Sequence, residues 1–337
     1  MAVCRVYLST YRRPKLLPRA LDSLLAQTFR DWVCELHNDD PSDRSPAELV
    51  ARVGDPRITV VDHPRNLGPT ASFNLFFKCI EEPFFTLLED DNWWEPDFLG
   101  TMISTLSAYP HVQVAWANMR YWREQPDGTW SDTGRNIWET QETEPRLMDW
   151  PDRRQIYGAL HSNGAMLARS NFEYFPVPDS TNFGAIEAFR ERTFAHPLLF
   201  IPRRLANFAV TRATARPGDA AAWIHTVTVL SGTFISEVDL SRERIAALWA
   251  EARKPARWTH VLFLCAWHFA SCRSILREAS WSDWLWTLAF SGRHPRRMWQ
   301  VLRMLSDRRK EEEFLIYHTR RRQAAALSEE VRVHAAS

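Results

Sequence analysis

Glycine and lysine are scarce in this chain of 337 residues, which has 11 glycines and four lysines among 42 basic side chains. The arginine bias points to a GC-rich bacterial genome. No glycine lies between Ser9 and Leu25, which argues against the Gly-rich phosphate loop of a nucleotidyltransferase. Net charge is almost absent too, at +1. That excludes a strongly basic nucleic-acid binder as the default reading. The longest uncharged run of the C-terminal third, Trp258 to Cys272, is 15 residues. Crossing a bilayer takes ~20. The first residues show no apolar run after a basic start, so no secretory leader is expected. The five cysteines, Cys4, Cys34, Cys79, Cys265 and Cys272, form no Cys-x-x-Cys pair. They read as reduced, buried thiols of a cytoplasmic protein, with neither a disulfide frame nor a zinc site.

What is present is the composition of a folded protein, 45% hydrophobic and 25% charged, with 16 tryptophans. Strand and helix signals alternate through the first ~120 residues. Strands are expected over 3–8, 32–37, 58–61, 84–88 and 112–116. Helices are expected from Pro14 onward and over 45–53, 70–80 and 96–109. Ser45 and Glu48 have capping-box spacing. Such alternation predicts an α/β fold with a mostly parallel sheet. Ligands then bind beyond the carboxyl ends of the strands. The residues there are Ser9-Thr10-Tyr11, Asn38-Asp39-Asp40 and Glu89-Asp90-Asp91. The stretch 121–154 reads as polar and irregular, and 161–168 as another strand with the turn before it. From about Pro217 the pattern turns helical, with a boundary near residue 215 and a helical extension over 216–337.

Three adjacent carboxylates at a strand's end repel one another unless a cation holds them. A hard ion with oxygen ligands, Mg²⁺ or Mn²⁺, does so and bridges to a diphosphate.

Taken together, these segments resemble the family 2 glycosyltransferases, over residues 3 to about 210. Ser9-Thr10-Tyr11-Arg12-Arg13-Pro14 resembles the family's opening Pro-Thr-Tyr-Asn-Arg segment. Residues 21–29 match the first helix and its exit. Asn38-Asp39-Asp40-Pro41-Ser42-Asp43 resembles the Asp-Asp-Gly-Ser turn, with Pro41 in place of glycine. Asn66-Leu67-Gly68 through Asn74 resembles the Asn-x-Gly…Asn stretch. Glu89-Asp90-Asp91 falls where the family carries Asp-x-Asp, and Asn92 stands for the usual trailing Asp. Asn163 to Arg169 resembles the strand that borders the acceptor site.

The resemblance implies a GT-A fold, a Rossmann-like nucleotide-binding sheet flanked by helices, over 1–215. It implies inverting transfer of a sugar from a nucleoside-diphosphate sugar, UDP- or dTDP-linked, to an acceptor hydroxyl. The acceptor is undefined: a natural product, a saccharide or an envelope precursor. By the same resemblance Thr10 and Tyr11 line the base pocket and Asp39 accepts the ring N–H of uracil or thymine. Arg13, Asn66, Glu89 and Asp90 belong to the donor side, and Asp91 is the metal ligand. Inversion needs a carboxylate base. Glu187, 96 residues after Asp91, is the candidate, with Asp179 second. The alternative is a non-catalytic nucleotide-sugar-binding scaffold that keeps the fold. His37, His63 and His161 read as structural. Trp93 and Trp94 either pack the next helix or wall a sugar. Arginine–tryptophan interleaving from Arg293 onward fits a solvated helical face or contact with an anionic membrane. Self-association is left open, and no nucleic-acid partner is expected.

Overall fold

A computed structural model describes residues 2–148, 158–159, 161–172, 174–178, 181–212, 219–237, 240–254 and 257–307. Four parallel strands open the fold: β1 (Cys4–Thr10), β2 (Trp32–Asn38), β3 (Ile58–Asp62) and β4 (Phe84–Glu89). The short strand β5 (Trp93–Trp94), then β6 (Val114–Glu124), β7 (Trp130–Asn136), β8 (Arg146–Met148), β9 (Met166–Arg169) and β10 (Leu198–Val210) follow. The sheet order is β3-β2-β1-β4-β9-β6-β10-β5, with β7 on β6 and β8 on β10. β9 runs antiparallel between β4 and β6. The α/β class is as expected from the alternation.

Both faces of the sheet are covered, and β4 shows why its sequence is almost wholly apolar. Phe84 and Leu88 enter one core with Leu17, Leu21 and Leu24 of α1 (Leu17–Leu25) and Met102 of α4 (Phe98–Ser107). Phe85 and Leu87 point the other way, into a core with Tyr7, Phe76, Trp116 and Phe200. This is the period-two alternation of a strand buried on both sides.

Most element bounds fall within a few residues of expectation, and the departures have local causes. α2 (Ser45–Val53) has the expected span, but no capping box forms. Arg44 is the N-cap, and the Asp43 carboxylate takes the Ser45 N–H instead. α3 (Pro69–Asn74) stops short of the expected 80. There Asn74 turns its side chain to Val177, donating to its carbonyl and accepting its N–H. The first part of the polar stretch is a hairpin: β6 extends to Glu124 and pairs antiparallel with β7. Of the cysteines, Cys79 is exposed and the other four are buried.

The C-terminal part is helical: α5 (Ile186–Glu191), α6 (Ala220–Glu237), α7 (Arg242–Ala252), α8 (Thr259–His268), α9 (Trp281–Arg293) and α10 (Pro295–Leu305). Residues 270–278 form 3₁₀ turns after an extended Phe269. Leu230 of α6 packs with Val177, Ile186 and Phe189, so α6 rests on α5. The boundary expected near residue 215 falls outside the described residues. No described helix is long and apolar enough to cross a membrane.

Candidate functional site

The chain runs from β1 to β2 and β3 on one side, then returns to β4 on the other. That reversal opens a crevice at the strands' carboxyl ends. Register aligns the ends: Ser9 lies opposite Glu89, Thr10 opposite Asn38, and Asn38 opposite Asp62. The three polar segments singled out in the sequence therefore share one edge.

Asp90 faces inward. Its Oδ2 accepts from Thr10 Oγ1 at 2.8 Å, and its Oδ1 from Arg13 at 2.9 Å. Burial raises its pKa to about 6, although Arg13 pulls the other way. Arg13 also donates to Asp91 Oδ2 at 2.5 Å. Burial opposes the charge of Arg13, but Asp90 and Asp91 more than offset it and hold its pKa above the ordinary value. Glu89 is raised well above the usual carboxylate range, first by desolvation, then by Asp91, Glu187 and Asp90. By surface area the residue is half-buried.

Asn92 explains itself in three dimensions. Its amide donates to Glu89 Oε2 at 2.5 Å, and its Oδ1 accepts from Ala209 N at 3.0 Å. An aspartate could not donate to Glu89. Gly164 closes over this pair: a Cβ there would lie 2.8 Å from Asn92 Nδ2 and 3.0 Å from Glu89 Oε2. Trp94 fixes the same turn by donating to the Gly164 carbonyl at 2.8 Å.

Glu187 sits across the site in the first turn of α5. Its Oε1 accepts from Asn163 N at 2.6 Å and Ser162 Oγ at 3.3 Å. Its other oxygen takes no hydrogen bond among the described residues. One turn on, Glu191 accepts from His161 Nδ1 at 2.6 Å and His161 N at 2.9 Å. Two glutamates at i and i+4 on one helix thus grip the segment leading into β9. Asp179 lies outside the described residues.

Asp39 is tied to the loop that follows β3. Its carboxylate accepts from His63 Nδ1 at 2.9 Å, Leu67 N at 2.8 Å and Gly68 N at 3.1 Å. A carboxylate has about four lone-pair sites, and these bonds use three of them. Asn66 donates to the Asp39 carbonyl at 3.3 Å. His63 and His37 are 3.0 Å apart, and His37 continues to Glu35 at 3.2 Å. These histidines brace the loop from behind. Tyr11 is 42% exposed, its ring open to the crevice edge. Arg12 beside it has φ 54°, a left-handed position rare for arginine, and pairs with Asp40 at 2.5 Å. Hydrogen bonds from Ser42 and Arg12 draw Asp40 down to about 2.

The two tryptophans after the acidic triplet pack differently. Trp94 stacks on Phe98 of α4 with ring centroids 4.3 Å apart. Trp93 instead faces Trp122 and Trp130. Arg19, not singled out in the sequence, lies 3.9 Å over Trp93 and 4.1 Å over Trp130 and donates to the Asp91 carbonyl at 2.7 Å. Burial lowers its pKa to about 10. It fastens the β6–β7 hairpin to the acidic turn. Only chain folding brings Arg19, Trp93 and Trp130 together, so no local signal could have found this contact.

No group of three or more His, Cys, Asp or Glu among the described residues could hold a metal ion alone. One cation with phosphates completing its shell is a different case, since Mg²⁺ commonly takes one or two protein carboxylates plus substrate phosphates. Asp91 fits that role: Arg13 holds one oxygen, and among the described residues the other takes no hydrogen bond.

Residues 6–173 match the family model "Glycosyl transferase family 2". The succinoglycan biosynthesis protein ExoO of Rhizobium meliloti is 30% identical over 111 residues, 33% of this chain and 31% of ExoO. An uncharacterized glycosyltransferase of Haemophilus influenzae is 22% identical over 172 residues, 49% of this chain and 51% of that protein. The chain thus spans about a third to a half of the length of these curated relatives. Among solved structures, S. aureus TarS 1–349 superposes with a TM-score of 0.55 at 14% identity, over 79% of this chain and 80% of that one. At that identity the likeness is one of fold, a GT-A sheet. Through the strands that build the crevice and the acidic turn within it, the chain belongs to the family 2 glycosyltransferases.

Proposed function

We propose that the protein transfers a sugar from a nucleoside-diphosphate sugar, UDP- or dTDP-linked, to an acceptor hydroxyl with inversion. One arrangement supports this: the Asn163 N–H bonds Glu187, while Gly164, next in the chain, lies against Glu89 and Asn92, so Glu187 and the acidic triplet flank the same turn. TarS, similar in fold, has been solved with UDP and with UDP-GlcNAc, which supports a uridine donor.

Thr10 and Tyr11 flank the base, and the free lone pair of Asp39 takes its ring N–H. Asp91 would hold Mg²⁺ or Mn²⁺, which supplies Lewis-acid neutralisation of the diphosphate. Arg13 adds a second positive charge beside the leaving group. Trp93 offers a flat wall to the sugar. The free Glu187 oxygen accepts the acceptor's proton, while Asn163 and Ser162 fix the other and set the orientation. Residues 1–215 form the catalytic unit in this reading, and 216–337 its helical extension.

A second reading is a nucleotide-sugar-binding scaffold. It is favoured by the use of Asn92 and Glu187 as clamps on backbone and neighbours. The deciding experiment is thermal stabilisation by UDP, dTDP and GDP with and without Mn²⁺, followed by nucleotide release from the donor that binds. A ligand that binds only the folded chain raises its melting temperature. Manganese-dependent stabilisation by one nucleotide, with release above buffer background, is expected. Binding without release on any acceptor would favour the scaffold, and no stabilisation at all would end the donor assignment.

A further inference from the structure

Eight of the twelve exposed large apolar side chains among the described residues lie between Trp267 and Leu302. Trp267 is at the end of α8, and the other seven lie on α9 and α10. At 100° per residue, Trp281, Leu285, Leu288 and Gly292 of α9 fall within about 60° of one another. Trp281 is 84% exposed, Leu285 63% and Leu288 65%. The opposite face is the docked one. Asp283 is buried and pairs with Arg253 at 2.7 Å, and Phe290 stacks on His260 at 4.1 Å. α10 repeats the arrangement: Met298, Val301 and Leu305 face inward, while Trp299 is 61% exposed.

Arginine dominates the charge along this face, although an exposed Asp307 follows directly after it. Between Trp281 and Ser306 the only acidic residue is Asp283, which is fully buried. Arg293, Arg296, Arg297 and Arg303 lie in the same stretch, and Arg303 stands 5.6 Å over the Trp299 ring. An outward row of tryptophan and leucine bordered by arginine has the chemistry of a helix lying in a bilayer interface.

We propose that α9 and α10 seat the protein on the surface of an anionic phospholipid bilayer. Tryptophan and leucine enter the headgroup layer and the arginines meet lipid phosphates. Charge favours this occupant over a second copy of the chain. A two-fold interface sets a patch against itself, which would oppose four arginines per copy with no exposed acid between them. The proposal does not rest on the transferase reading.

The test is flotation of the full chain with phosphatidylcholine vesicles, with and without about a third phosphatidylglycerol. Two variants accompany it: Trp281→Ser with Leu285→Ser and Leu288→Ser, and Arg296→Glu with Arg303→Glu. The parent is expected to float with the anionic vesicles only. Either variant should lower the bound fraction roughly ten-fold or more. Should the serine variant melt at a lower temperature, the arginine variant decides. Three results overturn the proposal: no flotation of the parent, equal flotation on neutral vesicles, or unchanged flotation of the variants. A parent dimer in light scattering that the serine variant returns to monomer overturns it as well, and makes the face a self-interface.

Discussion

Asp91, Glu187 and Gly164 are the three positions at which a small change reads out the chemistry. Asp91→Asn keeps the shape and the Arg13 contact but removes the charge that a cation needs. Manganese-dependent nucleotide stabilisation is expected to vanish, and turnover to fall on the order of a thousand-fold. Full activity in that variant would sink the metal assignment. Glu187→Gln retains an acceptor oxygen for Asn163 N, so donor binding should survive while turnover drops at least roughly a hundred-fold. Loss of thermal stability with turnover intact would instead show a clamp. Gly164→Ala places a methyl group against Asn92 Nδ2 and Glu89 Oε2. The chain should fold, and the nucleotide-release rate should fall about ten-fold or more as the pair is displaced. The sequence showed the acidic run and the spacing to Glu187. It could not show that Asn92 donates to Glu89, because that bond exists only once the turn is closed.

At the scale of elements, the pairing of α8 with α9 has a pH dependence of its own. His260 is buried and stacked on Phe290. Its pKa is lowered to about 4, first by desolvation, then by Arg297 and His294. In the unfolded chain it titrates near 6.5. Folding therefore favours the neutral ring, and this stability is present above about pH 6.5 and lost as pH falls towards 4. The loss amounts to about 3 kcal/mol at most. Urea melts between neutral and acid pH should show it as a difference from His260→Asn, whose stability should fall less. Legibility differed by element. Strands buried on both faces, such as β4, stood out as short apolar runs. The β6–β7 hairpin did not, because an outer strand with an exposed, polar face looks like a loop in sequence.

For the whole molecule, the packing of α6 on α5 ties the helical part to the site. Leu230 shares a core with Ile186 and Phe189, and Arg192 donates to the Leu230 carbonyl at 2.8 Å. A chain ended after residue 212 would expose that apolar face beside Glu187. Such a chain is expected to melt well below the full chain and to lose nucleotide release, since buried apolar area is worth ~25 cal/mol per Å². Equal melting temperatures would show residues 1–212 to fold without the helical part.

Local pattern determined the α/β class, the acidic turn and the identity of the crevice residues, because period-two runs and polar strand ends are properties of neighbours in the chain. Tertiary structure alone decided which partners those residues meet. Asp39 accepts from a loop 28 residues on, Arg19 is sandwiched by tryptophans from two strands, and Glu187 grips the segment into β9. The outward apolar row on α9 was likewise undecided in sequence. A helix with tryptophan on several sides becomes a surface only when packing of Asp283 and Phe290 settles which side is left out.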